Sequence, residues 1–548
     1  MQPPIDDPNQ GHPIDSESLV LVEEPENPGP TPIERVAMFL APTDAATRMW
    51  AWLAPLLVTF LAAVLRMTNL AHPHDLMNHF DETYYIKDAW SLWNLGYEGG
   101  WPENANELFL SGQTNVFTTD GAFVVHPPLG KWLIALGMAG MGSETGWGWR
   151  LATALAGTAA VLILFLIAKR MTGSTVWGTV AGLLLAIDGL GIVMSRVALL
   201  DNILALFVLL AVWFILHDRD RTMGIFAHAV LERTHGSSAS SSVSSAKWGP
   251  VLWNRPWIIA AGAALGAACA VKWSGAYILA AFGIYLVVTD ALARRRAGIT
   301  LWPSDAAFRQ GPVTFLLLVP VALVVYLASW TGWLLTAGGY DRQSDPNPFI
   351  ALWNYHVGIY NFHVGLTTEH SYASPAWQWP LMLRPTSMYW KNTGFEVDGC
   401  ELPSGCVQAV TSIANPAIWY ASMVAVLVLI AVFAIKPLRG QFRDWRIALV
   451  LTAIGATYVP WLLYPERTMF QFYTVVIVPF TILALVLALK MLAGTKTDSR
   501  RRRTLGQIAV AVYLVIAVGF SVFWYPLWTG MEVSYDFWRL HASFDSWI

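Results

Sequence analysis

Long apolar segments recur along this chain and constrain its fold more than any other sequence feature. About 20 apolar residues are needed to cross roughly 30 Å of hydrocarbon. Eleven such segments lie near residues 49–67, 149–168, 176–194, 198–216, 257–271, 274–290, 312–335, 416–435, 445–463, 469–490 and 506–525. Only 13% of the 548 residues are charged, against about 25% in soluble domains. The sequence therefore predicts an all-α, multi-pass membrane protein with about eleven transmembrane helices.

The run 257–290 is too long for one crossing. Lys272 lies near its middle, and a charged residue is costly inside the hydrocarbon region. We therefore predict that this run folds as a hairpin of two short helices.

Basic residues predict the orientation, because cytoplasmic loops of membrane proteins are enriched in Lys and Arg. Five basic clusters fall on one side of the predicted spans: Lys169-Arg170, Arg219 with Arg221, Arg294-Arg295-Arg296, Lys436 to Arg446, and Arg500 to Arg503. That side is predicted to be cytoplasmic, and the N-terminus lies on it. Because the number of predicted spans is odd, the chain should leave the membrane on the other side. The segment 526–548, which follows membrane domain 48–525, is therefore predicted to be extracytoplasmic.

The remaining segments differ in composition. Residues 1–47 are rich in Pro, Asp and Glu and are predicted to form a disordered cytoplasmic tail, because they cannot bury enough apolar surface. Residues 217–256 form a predicted cytoplasmic loop. Two long segments, 68–148 and 336–415, are predicted to lie outside. Within the first, the apolar run 128–138 is too short to cross and predicts a helix that lies in the membrane interface or packs on the bundle.

Two adjacent carboxylates, Asp81 and Glu82, follow the first predicted span. Ionisable groups near a bilayer are costly and often mark function. Neighbouring positions on a helix do not share a face, which disfavours the arrangement of two facing carboxylates found in glycosidases. We interpret Asp81 as a catalytic base and Glu82 as its supporting neighbour. The alternative is a solvated pair in a loop, without a role in chemistry.

The same stretch contains several residues of the kinds that bind metal ions. They are His72, His74, Asp75, His79, Asp81 and Glu82. Imidazole and carboxylate ligands suit several divalent ions, but the spacing matches no defined motif. We therefore predict no metal site.

Two further pairs of residues share a loop or turn. Cys400 and Cys406 lie in one predicted outer loop, where a disulfide forms only if the compartment is oxidising; the sequence leaves this open. Arg196 and Asp201 lie at one predicted turn. We interpret them as a structural ion pair.

Cationic side chains near predicted span ends on the outer side form a second candidate group: Arg66, Lys131, Arg150, Lys272 and Arg467. Long basic side chains can extend to the headgroups without any specific ligand. However, the outer side should hold few of them, and Arg matches phosphate oxygens well. These residues therefore indicate binding of an anionic group such as a lipid phosphate.

Five motifs together resemble the protein O-mannosyltransferase family. They are Phe80-Asp81-Glu82, Val125-His126-Pro127-Pro128-Leu129-Gly130-Lys131, Ser195-Arg196-Val197-Ala198-Leu199-Leu200-Asp201, Val271-Lys272-Trp273-Ser274-Gly275, and Trp377-Gln378-Trp379-Pro380-Leu381 with Arg384-Pro385. The resemblance covers about residues 49–525. Segment 336–415 is too short for the lumenal MIR domain of eukaryotic members, so the chain resembles the bacterial, actinobacterial-type branch. Near Arg467 relatives often have a histidine where this chain has an aromatic residue.

The resemblance implies a membrane glycosyltransferase of the GT-C class in the plasma membrane. Such enzymes transfer mannose from polyprenyl-phosphate-mannose to Ser or Thr hydroxyls of secreted proteins at the outer face, with inversion and without a metal or other cofactor. It implies Asp81 as the base, a role for Glu82, and Arg66 and Arg150 in the donor and active-site region. We extend the predicted substrate contacts to His126, Lys131, Lys272, Trp377, Trp379, Arg384 and Arg467. Predicted partners are the lipid-linked donor, secreted proteins, membrane lipids and the translocation machinery, but no nucleic acid.

Two other functions fit parts of the sequence. A GT-C enzyme with a cell-wall glycan or a lipid as acceptor would share the fold and the donor class. A transporter or lipid flippase would need charged or broken helices near the middle of the membrane and an internal repeat. The candidate residues lie instead at the predicted outer ends of the spans, which favours the glycosyltransferase.

Overall fold

The computed structural model describes residues 44–75, 81–235, 247–438, 444–542 and 544–548. Its first helices are α1 (Asp44–Met67), α2 (Glu82–Leu95), α3 (Ala105–Leu110), α4 (Leu129–Met141), α5 (Gly146–Thr172), α6 (Thr175–Ala186), α7 (Gly189–Arg196), α8 (Asp201–His235), α9 (Pro256–Val271) and α10 (Ser274–Arg296). They are followed by α11 (Trp302–Ser304), a π-helical turn (Asp305–Gln310), α12 (Gly311–Ser329), α13 (Thr331–Leu335), α14 (Pro348–Gly365), α15 (Pro416–Leu438), α16 (Trp445–Tyr458), α17 (Val478–Ala493), α18 (Arg500–Thr529) and α19 (Tyr535–His541).

The predicted multi-pass helical fold is confirmed. In the described part of the chain, eight helices are long and apolar enough to cross a membrane. Helices α6 and α7, bent by 57° at a short break, bring the number to nine when the pair is counted as one broken span. Helices α9 and α17 are apolar but have only 16 residues each. Every segment predicted to cross therefore contains helix. The predicted hairpin is confirmed too, because α9 ends at Val271 and α10 begins at Ser274.

Other predictions have mixed outcomes. The short apolar run in the first loop forms helix α4, which packs against α2 and α5. The predicted tail, residues 1–47, lies almost wholly outside the described residues, as does part of loop 217–256.

The sequence analysis did not predict any sheet. Strands β1 (Ser387–Thr393), β2 (Cys406–Thr411) and β3 (Glu532–Ser534) form an antiparallel sheet in that order.

The sheet ties segment 336–415 to the region that follows α18. Strand β2 pairs on one side with β1, where Thr393 is opposite Cys406, and on the other side with β3, where Cys406 is opposite Ser534. A disulfide joins Cys400 to Cys406, which answers the question that the sequence left open. The segment is therefore a folded cap rather than an extended loop.

The break between α6 and α7 is held by a buried aspartate. Asp188 caps the N-terminus of α7, and its carboxylate accepts hydrogen bonds from the backbone N–H groups of Gly191 (2.9 Å) and Asn415 (3.1 Å). Backbone groups freed by a helix break inside a membrane need such partners. Helix α7 then leads directly to the segment 195–201, which carries two residues of the candidate site, Ala198 and Asp201.

The helices that carry the site approach each other closely at Gly157 of α5. A methyl group at this position would collide with the hydroxyl of Ser195 and come within 2.7 Å of the Asn202 amide nitrogen. The Ser195 hydroxyl donates to the Gly191 carbonyl (2.6 Å) and accepts from the Asn202 amide (3.1 Å). A larger residue would therefore break a buried hydrogen-bond network.

We predict that Gly157→Ala lowers the free energy of unfolding by about 1–3 kcal/mol, the usual cost of overpacking. Thermal unfolding of the purified protein in detergent measures the effect. Gly455→Ala in α16 is the control, because apart from the neighbouring backbone of its own helix no atom of the described chain lies within 4 Å of the added methyl group. There the gain in helix propensity should be neutral or stabilising by about 0.5–1 kcal/mol. Equal melting temperatures for the two variants would contradict the close approach.

Candidate active site

Glu82 and Arg150 form a fully buried ion pair beneath the first loop. The Arg150 Nε and Nη2 atoms donate to the two Glu82 oxygens, each at 2.8 Å. The backbone N–H of Ala198 also donates to Glu82 Oε1 at 2.7 Å. Arg150 Nη1 donates to the Leu70 carbonyl at 3.1 Å. These bonds join α2, α5 and the segment after α7, so Glu82 is placed to position its neighbours rather than to react.

Asp81 occupies the position just before α2 and is only half-buried. Within the described residues its carboxylate forms no hydrogen bond or ion pair. Burial raises the pKa of Asp81, the nearby Lys272 lowers it, and Asp201 raises it. Asp81 is therefore an uncommitted carboxylate with increased basicity, placed next to a cation.

Lys272 and Asp201 form a second buried pair. The Lys272 Nζ atom donates to the Asp201 oxygens at 2.8 and 3.0 Å and lies 5.0 Å from the centre of the Tyr473 ring. The expected pair of Arg196 with Asp201 is wrong. Arg196 donates instead to three backbone carbonyls that follow α1 or end it.

A cavity of about 140 Å³ lies beside these residues. The charged and polar side chains that line it include His126, Asp201, Lys272, His363, Arg467 and Tyr473. Three predicted site residues, His126, Lys272 and Arg467, thus lie around one space although they are far apart in the sequence.

Arg467 is held at the cavity by a histidine. Its Nη2 atom lies 3.3 Å from His363 Nδ1, and the Nε2 of the same histidine lies 2.9 Å from the Val125 carbonyl. Burial and the charges of Arg467 and Lys272 lower the pKa of His363 to about 4, although its hydrogen bond with the Val125 carbonyl raises the pKa. At neutral pH His363 is therefore uncharged, donates from Nε2 and accepts from Arg467. Arg467 forms no ion pair with a carboxylate of the described chain, so its charge is uncompensated.

The sequence analysis missed His363 and Tyr473. His363 lies in the last turn of α14, a helix that contains no Asp, Glu, Lys or Arg. Its ring stacks on that of His126 with centroids 5.3 Å apart. Nothing in the sequence links it to Arg467, 104 residues away. Such a partner becomes visible only in three dimensions.

Two predicted substrate-binding cations have internal partners instead. The guanidinium of Arg66 donates to the carbonyls of Leu185 and Ala186, each at 2.9 Å, and to the Ser195 hydroxyl at 3.1 Å. Lys131 forms a buried ion pair with Glu98 and donates to the His126 carbonyl at 3.1 Å. Lys131 thus supports the loop that carries His126.

The tryptophan motif divides between core and surface. Trp379 is buried and its Nε1 donates to the Ser374 carbonyl at 2.9 Å, whereas Trp377 is 60% exposed. Arg384 donates to the carbonyls of Ser371 (3.0 Å) and Ser546 (2.8 Å). Only Trp377 has a ring surface that is open to a ligand.

The histidines near Asp81 have separate contacts. The Nε2 of His72 lies 3.0 Å from the Gly530 carbonyl, and His74 stacks on Trp149 with centroids 4.7 Å apart. His79 lies outside the described residues. Among the residues that are described, no three side chains of His, Cys, Asp or Glu come together as a metal ion would need.

Comparisons with known proteins match most of the chain. The family model described as "C-terminal four TMM region of protein-O-mannosyltransferase" matches residues 348–547, and "Dolichyl-phosphate-mannose-protein mannosyltransferase" matches 125–227. The polyprenol-phosphate-mannose–protein mannosyltransferase of Mycolicibacterium smegmatis strain MKD8 is 34% identical over 520 residues, which cover 91% of this chain and 93% of the relative. The protein of that description from Mycobacterium tuberculosis strain H37Rv is 34% identical, with 97% and 99% covered.

A solved structure shares the fold. The S. cerevisiae protein O-mannosyltransferase Pmt1-Pmt2 complex bound to the sugar donor matches 91% of this chain and 92% of the solved chain, with a TM-score of 0.66 and 14% identity. At that identity the likeness concerns the fold alone.

We predict that Glu82→Gln destabilises the protein by about 3–5 kcal/mol, because the charge of Arg150 is then left buried without a counter-charge. Thermal unfolding in detergent measures the loss. Glu107→Gln is the matched control, because Glu107 is exposed on α3 and should change stability by less than about 0.5 kcal/mol. If Glu82→Gln unfolded at the wild-type temperature, the pair would not be the support that its geometry indicates.

Proposed function

The chain belongs to the protein O-mannosyltransferase family, and we propose that it transfers mannose from polyprenyl-phosphate-mannose to Ser or Thr hydroxyls of secreted proteins. The reaction takes place at the outer face of the plasma membrane, inverts the sugar carbon and uses Asp81 as general base. One observation carries the proposal: the uncommitted carboxylate of Asp81 lies within electrostatic range of Lys272 and Asp201, and these two residues line a cavity together with Arg467, which forms no ion pair within the described chain.

Asp81 supplies the base that this transfer needs. A Ser or Thr hydroxyl is a weak nucleophile, and a carboxylate can take its proton as the bond to the sugar forms. The hydroxyl oxygen bonds to the anomeric carbon while the bond from that carbon to the phosphate oxygen breaks. The proton goes to Asp81 and the electron pair leaves with polyprenyl phosphate. A single displacement of this kind inverts the carbon, and no second carboxylate takes part.

Cations at the cavity stabilise the leaving group. The phosphate gains negative charge as the bond to the sugar breaks, and fixed cations are most effective where charge develops. Arg467 offers two donor nitrogens on a planar group that suits phosphate oxygens. Lys272 adds positive charge, although Asp201 partly neutralises it. The donor phosphate therefore belongs next to Arg467, and the sugar lies between it and Asp81.

The distribution of basic residues supports the sidedness. The clusters enriched in Lys and Arg lie at the ends of the spans that are remote from the first loop, and such clusters favour the cytoplasm. Asp81, in the first loop, then faces the outside, where secreted proteins are found. The exposed ring of Trp377 offers a surface to an extended peptide on this side.

We predict that Asp81→Asn lowers the transfer rate by at least about 100-fold, the usual contribution of a general base, while the fold is retained. The assay follows labelled mannose from polyprenyl-phosphate-mannose to a Ser/Thr-rich peptide, with and without chelator. Asp120→Asn, an exposed loop aspartate, should keep wild-type activity.

Three outcomes separate the alternatives. Full activity of Asp81→Asn would remove it as the base. Loss of wild-type activity with chelator would favour a metal ion at the histidine-rich stretch. Transfer only to glycan or lipid acceptors would refute the proposed acceptor but not the donor.

We also predict that, as the pH is lowered, activity is lost at a higher pH than it would be if the base had the pKa of an ordinary aspartate. The base must be ionised to accept a proton, and burial raises the pKa of Asp81 above the usual value of about 4. Lys272 lowers that pKa, so Lys272→Ala should shift the acid limb of the pH–rate profile to higher pH. Arg539→Ala should leave the limb unchanged, because Arg539 is exposed and is not among the residues that line the cavity. A shift to lower pH in Lys272→Ala would contradict the assignment.

A further inference from the structure

Tyrosines surround one opening of the cavity. Tyr277, Tyr360 and Tyr464 all line it, and the hydroxyls of Tyr277 and Tyr464 are hydrogen-bonded at 2.6 Å. Tyr277 lies on the first turn of α10, whereas Tyr464 follows the 3₁₀ turn Val459–Leu463. The hydroxyl pair therefore bridges two separate walls of the cavity.

This opening faces the membrane. On one face of α10, Ile284 follows Tyr277 by seven positions and Val288 follows it by eleven. The side chains are exposed by 42% (Tyr277), 66% (Ile284) and 49% (Val288). Helix α10 is long and apolar enough to span the bilayer, so an exposed apolar face on it contacts lipid. On the opposite wall Leu463, next to Tyr464, is 68% exposed.

A third wall has the composition of a membrane-interface element. Helix α14 contains no Asp, Glu, Lys or Arg, and Phe349, Trp353 and Tyr360 on it are 59–70% exposed. Such an exposed aromatic face is unfavourable in water, and amphipathic aromatic rings favour the membrane–water interface. The opening is thus enclosed on three sides by lipid-facing or interfacial residues.

The size of the cavity requires such an opening if the proposed donor is correct. About 140 Å³ is less than the 300–1,000 Å³ typical of pockets that enclose a drug-sized molecule. A polyprenyl chain contains many five-carbon units and does not fit. Its hydrocarbon must stay in the bilayer while its phosphate and sugar are inside, so the molecule crosses the cavity wall where the wall meets lipid.

We propose that the lipid-linked donor enters and leaves sideways between α10 and the segment 459–464, and that the Tyr277–Tyr464 hydroxyl pair is a latch that closes this portal. The inference rests on the proposed donor and adds the route that it takes. The latch is weak enough to open: a single neutral hydrogen bond changes an equilibrium by about two- to tenfold.

A latch and a ligand contact give different kinetics. If the pair only holds the portal closed, its loss raises the rate constants for donor association and dissociation by the same factor, and Kd stays constant. If a tyrosine hydroxyl binds the donor, its loss raises the dissociation rate alone and weakens Kd. Because both hydroxyls belong to one hydrogen bond, removing the second should add nothing to removing the first.

The experiment measures binding and release of labelled polyprenyl-phosphate-mannose by the protein in lipid nanodiscs. Tyr277→Phe, Tyr464→Phe and the double variant are compared with wild type. We expect about two- to tenfold faster association and dissociation in all three, with equal Kd. Tyr420→Phe is the control, because its hydroxyl is bonded to the Leu381 carbonyl, away from the cavity, and its exposure of 38% is similar to that of Tyr277.

A soluble mannosyl-phosphate donor with a short isoprenoid chain provides the second measurement. It does not depend on lateral entry, so its rates should be equal in wild type and variants. Unchanged rates with the long-chain donor would overturn the latch, as would additive effects, a rise in dissociation alone, or an equal effect of Tyr420→Phe. If wild-type protein bound no mannolipid, the proposed function itself would fail, and this would be seen before any variant is compared.

Discussion

The buried ion pair between Glu82 and Arg150 is the interaction on which the candidate site depends. It connects the first loop to α5 and, through the N–H of Ala198, to the segment after the broken span. Burying two charges costs several kcal/mol per ion and is offset only when the geometry is good and the remaining lone pairs are satisfied. Here both Glu82 oxygens accept hydrogen bonds. The adjacent Asp81 is therefore fixed in place by its neighbour and needs no partner of its own.

The candidate site contains one closed ion pair and two charged groups, Asp81 and Arg467, that remain outside it. Asp201 forms an ion pair with Lys272, whereas neither Asp81 nor Arg467 forms an ion pair within the described chain. An uncommitted carboxylate suits proton removal, and an uncommitted cation suits a developing phosphate charge. If these two paired with each other, both capacities would be lost. Both members of the closed pair lie near Asp81: Lys272 lowers the pKa of Asp81 and Asp201 raises it, so the pair adjusts this carboxylate without binding it.

The membrane fold could be predicted from the sequence because span length and composition are local properties. The partners of charged residues could not, because they come from distant positions. Asp201 pairs with Lys272, 71 residues away, rather than with the nearby Arg196. The small sheet was missed for the same reason, since β3 joins β2 across more than 120 residues. Asp81 carried a signal because an acidic residue next to a span is unusual and because it lies in a motif that resembles the family; His363 carried none.

Arg66 illustrates how a motif residue can matter without touching a ligand. The family resemblance assigns it to the donor and active-site region, but its guanidinium binds carbonyls at the end of α6 and the hydroxyl of Ser195. Ser195 lies three residues before Ala198, whose N–H holds Glu82. Loss of Arg66 would leave the carbonyls at the helix break without partners, and unsatisfied groups are costly inside a membrane. The segment from Ser195 to Ala198 would then shift, and with it the support of Asp81. An effect of Arg66 on catalysis is thus expected to travel through the broken span.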